Sequence, residues 1–147
     1  MIYFDAAYIA KCYLNEPGAE RVREVAYAAD GLASCELARL EFVSILKRHA
    51  RERHVTRREL SAILKEFEQD EGSGVWQWFG VTAALLEKAR TAILDLPNTA
   101  FVRAGDALHL ACAADRGFRE VYTNDRHMLQ AARYFRLIGV NVLGDGN

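Results

Sequence analysis

Short apolar runs alternating with longer amphipathic stretches constrain this chain more than any other feature. The runs fall at 2–5, 31–34, 75–79, 120–123 and 139–142, and helical patterns fill the intervals at 6–14, 18–29, 36–54, 57–70, 82–95, 104–116 and 125–134. Strands joined through helices cannot form tight hairpins. They predict a parallel sheet of about five strands with helices on both faces. Local signals set several boundaries. Thr56 and Glu59 have capping-box spacing for the helix at 57, and Gly72 and Gly74 stand where it should end. Asn124 reads as an N-cap for the helix at 125, and Gly117 as a stop for 104–116.

The chain has 147 residues, 51% of them hydrophobic, which is enough for one domain over 1–147 with a full core. Two prolines and ten glycines leave no material for a Pro/Gly-rich linker. No run of 18 apolar residues occurs, so no membrane span is expected. No basic stretch precedes an apolar one at the N-terminus, and strand-like sequence begins at Ile2. The first predicts a chain without a secretory signal, and the second an intact native start. Cys12, Cys35 and Cys112 are odd in number and lack CxxC spacing. That excludes a disulfide framework and a zinc site, and predicts buried free thiols on helices in a reducing cytoplasm. The net charge of -1 gives no bulk signature of nucleic-acid binding. Any such footprint is local, and the segment 47–58 qualifies. On the 57–70 helix, Arg57 and Arg58 stand at the N-terminus with acids toward the C-terminus, against the helix dipole. With Arg48 and Arg51 they are candidate contacts for RNA or a protein partner.

Four acids stand where a soluble carboxylate has no obvious reason to be. Asp5 ends the apolar run Ile2-Tyr3-Phe4. Glu41 interrupts the apolar stretch 37–43. Asp106 opens the apolar helix 105–111, and Asp125 follows the strand Val121-Tyr122-Thr123. Carboxylates driven toward an apolar interior need partners, and several converging ones suit a hard cation. In a parallel α/β sheet, the carboxyl ends of the strands collect the ligand. Asp5 and Asp125 lie at such ends. Glu41 lies in the second turn after one, and Asp106 starts a helix on the same edge. Each acid also has a plain reading, as a helix cap or a first-turn acid; their coincidence on one edge is what points to a metal site. Like charges gathered there should raise each other's pKa in the metal-free protein.

Other chemistries lack their residues. There is no GxGxxG, no GxxxxGK[ST] and no GxSxG, and Asp5 has no second acid two residues on. His109 and His127 are isolated and read as half-exposed helix histidines, with a metal role for the Asp106/His109 pair as the alternative. Thr123 and Asn124 are candidates for supporting a metal ligand. Trp76 and Trp78 read as packed strand residues.

These segments resemble a known family. Tyr3-Phe4-Asp5, with Tyr13 to Gly18, resembles the first motif of PIN-domain ribonucleases of the VapC toxin type. Leu37-Ala38-Arg39-Leu40-Glu41 resembles the family's conserved-Glu helix. Arg103 to Ala111 resembles its third acidic motif, and Tyr122-Thr123-Asn124-Asp125-Arg126-His127 its fourth. One position departs: the family usually carries Ser or Thr directly after its first Asp, and here Ala6 follows Asp5. The resemblance implies a three-layer α/β/α fold and endoribonuclease activity dependent on Mg2+ or Mn2+. Asp5, Glu41, Asp106 and Asp125 would serve as catalytic metal ligands. It also implies a cognate antitoxin and a homodimer formed through helices. A PIN nuclease acting on DNA, or a catalytically weak nucleic-acid-binding module, is the alternative.

Overall fold

The computed structural model describes residues 1–144. Five short strands and seven α-helices follow the predicted order: β1 Ile2–Tyr3, α1 Ala6–Tyr13, α2 Ala19–Ala28, β2 Leu32–Cys35, α3 Leu37–Arg51, α4 Arg57–Gly72, β3 Trp76–Phe79, α5 Ala83–Leu94, α6 Ala104–Asp115, β4 Glu120–Tyr122, α7 Arg126–Ala131 and β5 Ile138–Val140, with a 3-10 turn at Ala132–Phe135 before β5. All pairings are parallel. The strands form a three-stranded ladder, β1-β2-β3, and a two-stranded ladder, β4-β5. A single bridge between Phe4 and Tyr122 joins them. The expected sheet is therefore two short ladders in register, not one continuous ladder.

Alternation along the strands builds a core on each face. Tyr3, Cys35 and Val121 enter a core with α5, α6, α7 and the 3-10 turn. Phe4, Leu32 and Trp76 enter the opposite core with α1, α2, α3 and α4. Helices thus cover both faces, the three-layer arrangement expected. Among the described residues no helix is long and apolar enough to cross a membrane.

The local signals hold with two adjustments. Thr56 and Glu59 form the capping box of α4. Gly74, at φ 75°, and Gly117, at φ 77°, adopt the left-handed conformation that stops α4 and α6. Gly72 is still helical, and Ser73 is the C-cap. Asn124 does not cap α7; the Asp125 side chain does, accepting the Met128 N–H. Cys35 is the last residue of β2 and not a helix residue, while Cys12 and Cys112 are helical. All three thiols are free, with Cys35 and Cys112 buried and Cys12 half-buried.

Candidate functional site

The bridge between β1 and β4 sets the site. It places Asp5, one residue past Phe4, beside Thr123, one residue past Tyr122. Asp5 caps α1, its Oδ1 accepting the Tyr8 N–H at 2.8 Å. Its Oδ2 accepts the Thr123 hydroxyl. The same Thr123 oxygen accepts the Asp125 N–H at 2.9 Å. Asp125 then caps α7, accepting the Met128 N–H at 2.9 Å. Two aspartates at the carboxyl ends of β1 and β4 are thereby held by two helix starts and by one hydroxyl that bonds the Asp5 carboxylate and the Asp125 backbone N–H.

Arg103 extends this network across the edge. Its Nε donates to Asp106 Oδ2 at 2.7 Å, and its Nη2 donates to Asp125 Oδ2. Asp106 belongs to the first turn of α6, so the guanidinium lies between acids from two different helices. Both carboxylates raise the Arg103 pKa, Asp106 foremost. Arg103 was not singled out from the sequence, because its pairing with Asp125 spans 22 positions.

Glu41 is held separately. It is half-buried, and its Oε2 lies 2.7 Å from His109 Nε2. His109 is only 1% exposed, which corrects the half-exposed reading. Its Nδ1 is 3.0 Å from the Tyr3 hydroxyl, which accepts the Cys35 N–H at 3.0 Å. A neutral ring donating from Nε2 to Glu41 and accepting from Tyr3 at Nδ1 satisfies every group in this chain. Burial disfavours charge on His109. The hydrogen bond and charge of Glu41, then the charge of Asp5, outweigh it, and the pKa rises. Gly105 leaves room here: a Cβ on it would meet Glu41 Oε1 at 3.1 Å, tighter than ordinary contact. Without a side chain at 105, α6 and Glu41 approach closely.

Asp5 is pushed up to about 6. Burial is the main cause. The hydrogen bonds from Thr123 and Tyr8 and the charge of His109 oppose it, and Asp106 contributes the smallest part. A raised acid was expected, but from like-charge repulsion; desolvation does most of the work.

The four acids thus lie on one edge, in two separate hydrogen-bond networks. Among the described residues, no three His, Cys, Asp or Glu side chains converge closely enough to hold a metal ion. The expected coincidence on one edge is present, but the four carboxylates do not gather around one point. Two features still fit a hard cation: the donors are all carboxylate oxygens, and a guanidinium already stands between two of them. Thr123 is buried and bonded to both Asp5 and Asp125, whereas Asn124 is exposed. Arg48, Arg51, Arg57 and Arg58 are exposed at the junction of α3 and α4. They are not brought to the acids. Arg48 and Arg51 lie about 10 and 15 Å beyond Glu41 along α3 at 1.5 Å per residue. Trp76 and Trp78 are stacked at 5.7 Å between centroids and pack against the α4 side of the sheet.

Several solved structures share the fold. VapC20 of Mycobacterium tuberculosis, described as a sarcin-ricin loop cleaving toxin, superposes with a TM-score of 0.71 at 17% identity, covering 89% of this chain and 95% of its own. FitAcB of Neisseria gonorrhoeae gives 0.71 at 16% identity, covering 98% and 99%. FitAB bound to an IR36 DNA fragment gives 0.70 at 16% identity, covering 100% and 99%. No curated protein matches the sequence. Residues 2–134 match the PIN domain family, and with that span of nearly the whole length the chain belongs to the PIN domain family.

Proposed function

We propose that this chain is the toxin of a toxin–antitoxin pair, a divalent-metal-dependent endoribonuclease built as one PIN unit over 1–147. The observation that carries the reading is the acidic edge itself: Asp5, Glu41, Asp106 and Asp125 on one side of a PIN sheet, two of them already sharing a cation, Arg103. The neighbour VapC20, a sarcin-ricin loop cleaving toxin, supports the toxin assignment. Mg2+ or Mn2+ would be held by Asp5, Asp106 and Asp125, with Glu41 bound directly or through water. When bound, the cation supplies charge to polarise the phosphoryl oxygen and to acidify the attacking water.

The protein's own part is positioning and proton handling. Tyr8 N–H and Thr123 fix Asp5, and Met128 N–H and Thr123 Oγ1 fix Asp125 with its backbone. His109 aims Glu41. Such supporting partners orient ligands and tune their basicity. Asp5, with its pKa near 6 when no cation is bound, is the acid suited to hold a proton and release it as positive charge arrives. Among the described residues no serine or cysteine side chain hydrogen-bonds to a histidine or a carboxylate, and the reading takes water as the nucleophile. The partners are an RNA strand, a cognate antitoxin and a second copy of the chain, and the setting is the cytoplasm, where the three thiols stay reduced.

The test is cleavage of single-stranded RNA and of single-stranded DNA with Mg2+, with Mn2+ and in EDTA. RNA cleavage that requires the cation supports the proposal. Undiminished cleavage in EDTA, or cleavage of DNA alone, refutes it. A melting curve adds a second readout, because an ion that binds the native cluster and not the unfolded chain raises the melting temperature.

A further inference from the structure

A cavity of about 490 Å3 lies between the segment that precedes α6 and the end of α7 with the turn that follows it. Phe101, Leu129, Arg133 and Tyr134 form its walls, and its lining contains no Asp or Glu. Phe101 is 57% exposed and Tyr134 39% exposed, and neither belongs to the buried core. The Phe101 ring meets the exposed His127 ring edge-on, with centroids 4.8 Å apart. Arg133 lies over the Tyr134 ring at 4.9 Å and remains exposed. The guanidinium donates to the Tyr134 hydroxyl at 3.0 Å and pairs with no acid among the described residues, so its charge is not neutralised. Exposed aromatic rings beside an unneutralised cation, with no acid in the wall, match a nucleotide: a flat base and an anionic phosphate.

The cavity is tied to the acid cluster by two cross-links in one register. Phe101 touches His127, and Arg103, two residues after Phe101, pairs with Asp125, two residues before His127. The aromatic pair therefore lies next to the ion pair that links Asp106 and Asp125. Two residues of extended chain cover about 7 Å. A strand whose phosphate lies at the acids would bring an adjoining base to Phe101.

Resting on the ribonuclease reading above, we propose that this cavity is a nucleobase subsite. It takes one unstacked base of the RNA strand next to the scissile phosphate, against Phe101 and Tyr134, with Arg133 on the neighbouring phosphate. The pocket would then contribute to which sequence is cut, which the acids alone cannot do.

Binding is measured by fluorescence anisotropy in an Asp106→Asn background, which removes turnover. The probes are short single-stranded RNA oligomers of each base and matching oligomers with abasic sugars. Phe101→Ala should weaken binding of a base-bearing oligomer about tenfold, within the range for one stacked base. The abasic oligomer should lose nothing further, and Phe101→Trp should restore binding. Phe101→Leu, which keeps the bulk and is safer for the fold, should lose affinity as Phe101→Ala does. Arg133→Gln should weaken both kinds of oligomer and flatten the salt dependence. Unchanged affinity in Phe101→Ala and Phe101→Leu, or an equal loss with abasic RNA, overturns the subsite. Unchanged RNA affinity with altered sedimentation would assign the cavity to a second copy and also overturn it. Failure of the ribonuclease reading shows separately: Phe101-dependent binding by a wild-type protein that cuts no RNA keeps the subsite and removes the reaction.

Discussion

The acidic edge and the basic junction of α3 and α4 were both conspicuous as charge patterns, yet they are built in opposite ways. At the edge every acid is held. Asp5 and Asp125 cap helices, Asp106 and Asp125 share Arg103, and Glu41 is fixed by a buried histidine. At the junction, Arg48, Arg51, Arg57 and Arg58 make no ion pair among the described residues. Groups held by a network are pre-organised for chemistry, because the ordering entropy is spent on folding. Exposed arginines are free to meet a partner, and equally free to do nothing. The contrast teaches that the edge is a site by construction, while the junction becomes one only if something binds it.

The largest expected effect attacks the edge directly. Asp106→Asn keeps the volume and removes a charge, and should lower RNA cleavage on the order of 100-fold or more, as loss of a transition-state-stabilising group does. Circular dichroism should show the fold intact, and the melting shift produced by Mg2+ should shrink. Wild-type turnover by this variant would remove Asp106 from the site. His109→Gln tests the support beneath Glu41. Glutamine reaches Glu41 from the position of Nε2 but leaves the Tyr3 hydroxyl without the Nδ1 partner. Activity or metal affinity should fall roughly 10- to 100-fold, with about 1–3 kcal/mol of stability lost at the orphaned hydroxyl. A variant that is less stable yet has unchanged metal affinity would reduce His109 to a core residue.

His109 also marks where sequence reasoning stopped. Asp5 and Asp125 were legible because strand ends in a parallel sheet share an edge, whatever the side chains do. His109 was read as half-exposed from a pattern that assumes a helix has a wet face. Every residue from Ala107 to Ala113 is buried, because α6 is wedged between the sheet and α5, so it has no such face. Arg103 stood in a motif that was read for its aspartate, and its second partner depends on tertiary placement alone. Asn124 lost the cap to Asp125 by one residue, a difference decided by which side chain reaches the Met128 N–H. Cys35 was placed past the strand because β2 runs one residue longer than the apolar pattern indicates. The split of the sheet into two ladders follows from strands of two to four residues, too short for their pairing to be read from alternation.

Arg103 allows a smaller test of the held edge. It is 59% exposed, so its pairs are worth at most about 1 kcal/mol. Arg103→Gln leaves Asp106 and Asp125 facing each other without a cation. In EDTA the melting temperature should fall by about 3 °C, as about 1 kcal/mol implies for a chain of this size. Mg2+ should then restore more stability to the variant than to the wild type, since no guanidinium competes for the carboxylates. An equal Mg2+ response in both proteins would mean that Arg103 does not stand where the cation binds.

The smallest effect belongs to the junction and decides whether it is a surface or a site. Arg57 and Arg58 occupy the first turn of α4, where positive charge opposes the helix dipole, and Thr56 and Glu59 already satisfy the cap. Replacing both by Gln should leave stability unchanged or raise it by a few tenths of a kcal/mol per residue. If the junction contacts RNA phosphates, affinity should fall a few-fold. The slope of log affinity against log salt should flatten by about 1.4, the value for two contacts on a single strand. If it contacts the antitoxin, RNA binding should be unchanged while the toxin–antitoxin complex weakens by a similar amount. The two partners separate because a phosphate contact shifts the salt slope uniformly for every RNA sequence, whereas a protein contact leaves that slope alone. Unchanged affinity for both would place these arginines on a solvated face, and the reversed charge order of α4 would then be a small cost to helix stability with no binding to offset it.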